Sequence, residues 1–381
     1  MRILYIANQR IPTEKAYGLQ ISKMCEAFAD LGHEVVLMAP TRRNPIKEDL
    51  FDYYNVRRNF KFKKIWALDF YLPGKWDRLA FEIKTFCSAM VVACRAWLGH
   101  YDVIYSRDEW PLWFLSFCRP GKIVFEAHKF SKPKGFMYGR LNKLSRPLIV
   151  ITQGLKKSFA GWGYKIERMV VSPDGVDLEE FSLTVSQEDA RKKASLPLDK
   201  KIVMYTGHLY DWKGVDTLID AVKLFPEDYL LVLVGGTEED LSAYSRKIKD
   251  KGFARKIFLL GRWPHGAIPN FLRAADVLVL PNKGGDQLSE SYTSPLKLFE
   301  YMASGRPIIA SDLPSLREVL NEDNAVLVEP NNAMTLFNAI KKIIDDPALG
   351  KRISSKALEE VKKYTWRKRA EQILNFLGQS R

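Results

Sequence analysis

Glu300 is an acid in a helix-like run that is otherwise apolar or small, TSPLKLFEYMASGRPIIAS from Thr293 to Ser311. An acid is almost never fully buried without a partner. One reading places Glu300 on a wet helix face. The other supplies it with the hydroxyl groups of a ligand. Its neighbours favour a ligand. Ser294-Pro295 is a natural helix start, with the hydroxyl as cap and proline near the first position. The helix start near Ser294, Pro295 and Leu296 then offers open N–H groups that suit a phosphate. Lys297 falls in the first turn, where a cation opposes the helix dipole, and a bound anion would explain it. Deeper in the helix, the Glu300 carboxylate can accept two hydrogen bonds from a ribose diol. Phosphate at the helix start and a diol further along describe a nucleotide lying along the helix.

A second anion signal is GHLYDWKG, residues 207–214, which links a strand to a helix N-terminus. Helix N-termini favour anions. Lys213 can add a full positive charge to a bound diphosphate, with Gly207 and His208 at the strand end beside it. The plainer alternative is a glycine-rich turn with a surface lysine. The equivalent loop near the start of the chain is NQRIPTEKAYG. There Gly18 opens a helix and would let a ligand approach the backbone closely. His128 ends the run KIVFEAH. A neutral imidazole at that strand end can donate to a sugar hydroxyl, although a lone histidine is more often structural.

The elements that must hold these residues repeat one grammar. RILYIA, a polar loop, the amphipathic LQISKMCEAFADLG and HEVVLMAP read as strand, loop, helix, strand. KIVMYTG, HLYDWKG, VDTLIDAVKLF and YLLVLVGG repeat the order from residue 201. Further apolar runs begin at 102, 122, 147 and 169, and again at 256, 276, 306 and 325. Nearly continuous apolar runs separated by amphipathic helices mark parallel sheets covered on both faces. The expected class is α/β, with two doubly wound Rossmann-like domains facing a central cleft, and ligands at the C-terminal ends of the strands. The expected division is 1–180 and 201–364. A turn-rich, charged linker at 181–200 joins them, and residues 365–381 form a last helix.

Bulk composition fits a soluble globular protein of two domains: 381 residues, 46% hydrophobic and 27% charged. Cys25, Cys87, Cys94 and Cys118 lack CxxC spacing and read as buried free thiols of a reducing compartment. The net charge of +14 predicts attraction to nucleic acid, anionic lipid or a phosphorylated small molecule. Part of it lies in VRRNFKFKKIW, residues 56–66, where Phe60, Phe62, Ile65 and Trp66 alternate with five cations. In the helix that follows, Lys84 and Arg95 leave too short an uncharged run to cross a bilayer, but the region could lie on one. Otherwise it is a solvated basic loop before a core helix. There is no Asp-x-Asp, GxGxxG, P-loop, GxSxG or Cys/His zinc cluster. The missing Asp-x-Asp argues against a metal-bridged nucleotide sugar, so no metal or other cofactor is expected. No nucleic-acid motif or aromatic stacking strand is present.

Taken together, these motifs resemble the retaining GT-B glycosyltransferases of family 4. The likeness runs nearly end to end: GLQISKMCEAFADLGHEVVLMAP, the AH of residues 127–128, VSPDGVDLEEF, GHLYDWKGVDTLIDAV, LVGG and SPLKLFEYMASGRPIIASDLPSLREVL. The resemblance implies an acceptor-side first domain and a second domain that binds a nucleoside diphosphate sugar. It implies a C-terminal helix crossing back to the first domain, and metal-independent transfer with retention to a glycan or lipid-linked acceptor. His128 and Lys213 take catalytic roles. Gly18, Gly207, His208, Ser294, Pro295, Leu296, Lys297 and Glu300 take the donor. Two departures stand out. Tyr292 occupies the place of the family's first glutamate, and His208 that of a frequent arginine. A silent nucleotide-sugar-binding subunit, or a sugar-nucleotide epimerase or sugar-phosphate synthase on this fold, is the competing reading. The expected location is the cytoplasm, extending to peripheral contact with the inner face of the cell membrane.

Overall fold

A computed structural model of the chain describes residues 1–74, 76–181 and 183–379. They form two compact units, residues 1–173 with the returning helix Trp366–Gln379, and residues 174–365. Each is built on one parallel sheet covered by helices, as the apolar runs require.

The first sheet contains β1 (Arg2–Ile6), β2 (Glu34–Pro40), β3 (Lys61–Ile65), β4 (Val103–Ser106), β5 (Ile123–Ala127), β6 (Leu148–Val150) and β7 (Met169–Val171), in the order β3-β2-β1-β4-β5-β6-β7. The second contains β8 (Lys201–Thr206), β9 (Tyr229–Val234), β10 (Ile257–Leu259), β11 (Val277–Leu280), β12 (Ile308–Ser311) and β13 (Val326–Val328), in the order β10-β9-β8-β11-β12-β13. Strand order reverses beside β1 in one sheet and beside β8 in the other, and such switch points are where open α/β sheets bind ligands. β8 shows why its run is apolar throughout. Ile202 and Met204 enter the core on one face, whereas Val203 and Tyr205 enter the core on the other.

The last helix packs on helix Ala16–Asp30 of the first unit. It is tied to the sheet by Arg369, whose guanidinium donates to Glu126 at 3.1 and 3.3 Å and to the carbonyl oxygens of Ser172 and Pro173. That is the crossing back implied by the resemblance.

Three expectations change. Residues 61–65 are a strand, not a loop: β3 pairs in register with β2 from Lys61↔Val36 to Ile65↔Pro40. Its neighbour Phe60 is buried. Arg57 pairs with Glu26 and Asp30, Arg58 with Asp49 and Asp52, and Lys61 with Glu34. The charged run is therefore a polar edge strand with much of its charge answered. The stretch read as a linker carries helix Gln187–Lys193, capped by Ser186. It also puts Phe181, Ala190 and Leu196 into the core of the second unit. Cys94 and Cys118 are exposed, and only Cys25 is fully buried.

Candidate functional site

The β8 end of the second unit gathers most of the residues singled out from the sequence. Gly207 follows β8 with φ 115°, and Gly235 follows β9 with φ 126°. A side chain on Gly235 would meet the Gly207 carbonyl oxygen at 2.3 Å, so both positions need glycine. The Lys297 ammonium lies against Gly207, 3.0 Å from where a β-carbon would stand, and 3.6 Å from the centroid of the Tyr205 ring. The Tyr301 hydroxyl fixes this geometry by accepting from the Thr206 amide at 2.8 Å. It thereby ties helix Leu296–Ala303 to the end of β8.

Lys213 closes a short 3-10 turn, Asp211–Lys213, before helix Val215–Ala221. Gly214 behind it has φ 69°, and a side chain there would strike the Pro281 carbonyl oxygen at 1.8 Å. The turn is thus pressed onto the end of β11, the strand across the switch point. Lys213 is buried, with its ammonium 3.8 Å over the Trp212 ring. Burial brings its pKa down to about 7. Burial, then the charge of Lys213, hold Lys297 well below the usual lysine value, against the pull of Glu300. Neither lysine has an acid partner among the described residues. Buried cations without counter-charges are costly, and two together form a site that favours an anion. Asn282, fully buried at the end of β11, also has neither amide atom bonded.

Helix Leu296–Ala303 begins differently from the expected pattern. Pro295, not Ser294, is its N-cap residue, and no side chain caps it. The Ser294 hydroxyl instead accepts from the Asp174 amide at 3.1 Å. The helix start is left open, as an anion site requires, but Ser294 is a bracket for the chain after β7 and not a cap. His208 stacks on Tyr210 with ring centroids 4.9 Å apart, and Tyr210 stacks in turn on Trp212. Tyr292 is buried at the end of a π-helical turn, Leu288–Tyr292.

Glu300 has a protein partner that the sequence did not reveal. His265 Nε2 stands 3.0 Å from Glu300 Oε1, and His265 Nδ1 stands 3.3 Å from Glu180 Oε1. Burial alone would lower the imidazole pKa. Hydrogen bonds to the two acids and their charges outweigh burial and bring it up to about 9. His265 is therefore cationic at neutral pH, donating from Nε2 to Glu300 and facing the Glu180 carboxylate as an ion pair at Nδ1. Glu300 Oε2 accepts no hydrogen bond from the described residues and is the oxygen left for a ligand. Scattered histidines gave no local signal for this bridge, because its members come from three distant segments.

On the first unit, His128 follows β5 and its Nε2 lies 2.5 Å from Glu126 Oε1. Glu126 is fully buried and also receives Arg369, Gln20 and the Tyr105 hydroxyl. Burial and the Arg107 guanidinium push His128 down to about 3, against Glu126. The imidazole is neutral, with Nε2–H committed to Glu126. Its Nδ1 is then an acceptor and not the donor expected from the sequence. At Gly18 the space of a side chain is taken by the Tyr54 hydroxyl, 1.9 Å from the β-carbon position, and by Thr13. Glycine is needed there for Tyr54.

Comparison with known proteins assigns both units. The model for glycosyl transferases group 1 matches residues 186–360, and that for glycosyltransferase family 4 matches residues 19–180. A D-inositol 3-phosphate glycosyltransferase of Xylanimonas cellulosilytica is 25% identical over 231 residues, 58% of this chain and 53% of that one. A phosphatidyl-myo-inositol mannosyltransferase of Mycobacterium leprae is 30% identical over 209 residues, 53% and 51% of the two chains. The chain spans about half the length of the curated relatives it matches. Among solved structures, Anabaena Alr3699/HepE in complex with UDP and glucose superimposes with a TM-score of 0.78 at 19% identity, covering 99% of each chain. The sucrose-phosphate synthase of Thermosynechococcus elongatus gives 0.79 at 20% identity, covering 99% of this chain and 98% of that one.

Proposed function

The chain belongs to the family 4 and group 1 glycosyltransferases, and from that premise we propose that it moves a sugar from a nucleoside diphosphate sugar to an acceptor hydroxyl of a glycan or lipid-linked sugar. The observation that carries the reading is the pair of buried lysines, Lys213 and Lys297, without acid partners at the β8 switch point. Breaking the anomeric bond gathers negative charge on the leaving diphosphate. Fixed cations and open helix amides stabilise that charge most where water is excluded. Glu300 Oε2 takes the ribose hydroxyls, while Oε1 stays on His265. His128 serves the donor sugar, as the resemblance implies, through Nδ1. Retention follows from the same resemblance. Glu126, the acid nearest His128, is buried and locked by Arg369, Gln20 and Tyr105, a poor nucleophile, so the retention implied by the resemblance would not run through a covalent intermediate on that acid.

Two results test this reading. Release of nucleoside diphosphate from donor, with or without acceptor, is expected to persist in EDTA, because the lysines and helix amides carry the charge. Loss of all turnover in EDTA, restored by magnesium, would overturn metal independence. Binding of a nucleoside diphosphate at about pH 8 is expected to take up protons, since Lys213 is largely neutral above about 7 and recharges against the diphosphate. Calorimetry in buffers of different ionisation enthalpy reads this directly. Binding heats that do not depend on the buffer would remove the lysines from the diphosphate site.

A further inference from the structure

The first unit exposes an apolar face that its own fold leaves uncovered. Helix Trp76–Leu98 buries Ala80, Lys84, Ser88, Val92 and Ala96 on one side. Its opposite side carries Leu79, Ile83, Phe86, Met90, Cys94 and Trp97, spaced by three or four residues, which places them in one stripe. None of the six is charged, and the five other than Cys94 are 39–48% exposed. The acids of this helix, Asp77 and Glu82, lie in its first turns and off the stripe. Lys84, which interrupts the apolar run in the sequence, faces inward, and its ammonium meets Asp69 at 3.5 Å and the Tyr71 ring at 3.5 Å.

The stripe continues onto the neighbouring helices Glu109–Cys118 and Gly135–Lys143. Phe86 packs edge-on to Trp110 and Phe114, and Phe136 lies against Trp110 and Trp113. Phe117 and Phe136 are 58% and 55% exposed. Contiguous apolar surface of this extent marks an interaction site.

Cations border the patch. Arg140 sits 3.5 Å over the Phe117 ring and bonds Ser116. Arg119 donates to the Trp97 carbonyl oxygen. Lys132 is exposed just ahead of Phe136. None of the three pairs with an acid among the described residues, so no carboxylate answers their charge. Glu109, the acid of the second helix, is already taken by Lys134 at 2.8 Å. An uncharged, tryptophan-rich stripe with a cationic border is the chemistry of a surface that seats in lipid headgroups. No helix among the described residues is long and apolar enough to cross a membrane.

We propose that this face, helix Trp76–Leu98 with the aromatic cluster beside it, docks the protein on an anionic lipid bilayer, helix axis in the plane of the surface. The proposal places the membrane contact on this face in addition to residues 56–66, where three of the five cations, Arg57, Arg58 and Lys61, are paired with acids. It does not depend on the reaction proposed above.

Sedimentation of the full chain with vesicles tests it. Vesicles of equimolar phosphatidylcholine and phosphatidylglycerol are expected to carry the protein down at low salt, and phosphatidylcholine vesicles much less. Tryptophan emission should shift to shorter wavelength. The variant Ile83→Gln/Met90→Gln/Trp97→Gln alters only exposed positions and should keep the native circular dichroism. Its partition coefficient should fall by about a hundredfold or more, since three apolar side chains lose their burial. Failure to sediment with the anionic vesicles at low salt overturns the proposal. So does undiminished sedimentation of the folded variant. Dimerisation without lipid that the variant abolishes, with no vesicle binding, would assign the face to a second copy of the chain instead.

Discussion

Lys213→Met is expected to make the ligand-free protein more stable and nearly inactive. Methionine keeps the apolar stem and removes a buried ammonium that has no acid partner. Turnover should fall by about a hundredfold or more, the scale for losing a fixed group that meets developing charge. The fall should appear in kcat more than in KM, because the diphosphate carries most charge in the transition state. The gain in stability has a definite pH signature. Lys213 titrates near 7 in the folded protein, below its unfolded value. Between those two values the unfolded chain holds a proton that the folded chain has released. The Lys213 contribution to the stability of the ligand-free wild type therefore rises as pH climbs through this window. In the variant that rise should shrink, and the gain over wild type should be largest below about pH 7 and fade above it. Melting curves across pH and steady-state kinetics measure both halves. An unchanged kcat would remove Lys213 from the chemistry. A lower melting temperature at neutral pH would mean that the lysine is structurally satisfied.

The sequence discloses this site as far as its parts are local. Gly207, Lys213 and Lys297 each sit in a loop after a parallel strand or in the first turn of the following helix, and apolar runs mark such places. The sheets are legible for the same reason: strands covered on both faces are apolar nearly throughout. β3 escapes that rule, since KFKKI is an edge strand and its pattern is charged. The partners of the site residues are another matter. Glu300 meets His265 across 35 residues, and Ser294 meets Asp174 across 120. No spacing in the chain predicts either pairing. The apolar stripe on helix Trp76–Leu98 is a third case. Both faces of that helix contain apolar or small residues, so periodicity reveals the stripe but not which side the fold covers.

Glu300→Gln is expected to weaken binding of the nucleoside diphosphate by about ten- to a hundredfold, the scale of hydrogen bonds to a charged acceptor. The structure sharpens the test, because Glu300 answers two partners at once. Its Oε1 neutralises His265, and Oε2 remains for the ribose. Loss of affinity could therefore come from a lost ribose contact or from a disturbed histidine. Glu180→Gln separates the two. It removes the other acid of His265 and leaves Glu300 in place. Both variants lose an anion that supports the raised imidazole pKa. Both should forfeit stability that wild type has in full below the usual histidine value and loses as pH rises through about 9. Only Glu300→Gln should lose affinity, with Glu180→Gln changing the dissociation constant by less than about threefold. Titration of each variant with a nucleoside diphosphate and with inorganic diphosphate completes the argument. The nucleoside should lose its advantage over diphosphate in Glu300→Gln alone. Equal losses in both variants would make His265 the determinant, and an unchanged constant in folded Glu300→Gln would return Glu300 to the role of a counter-ion in a structural bridge.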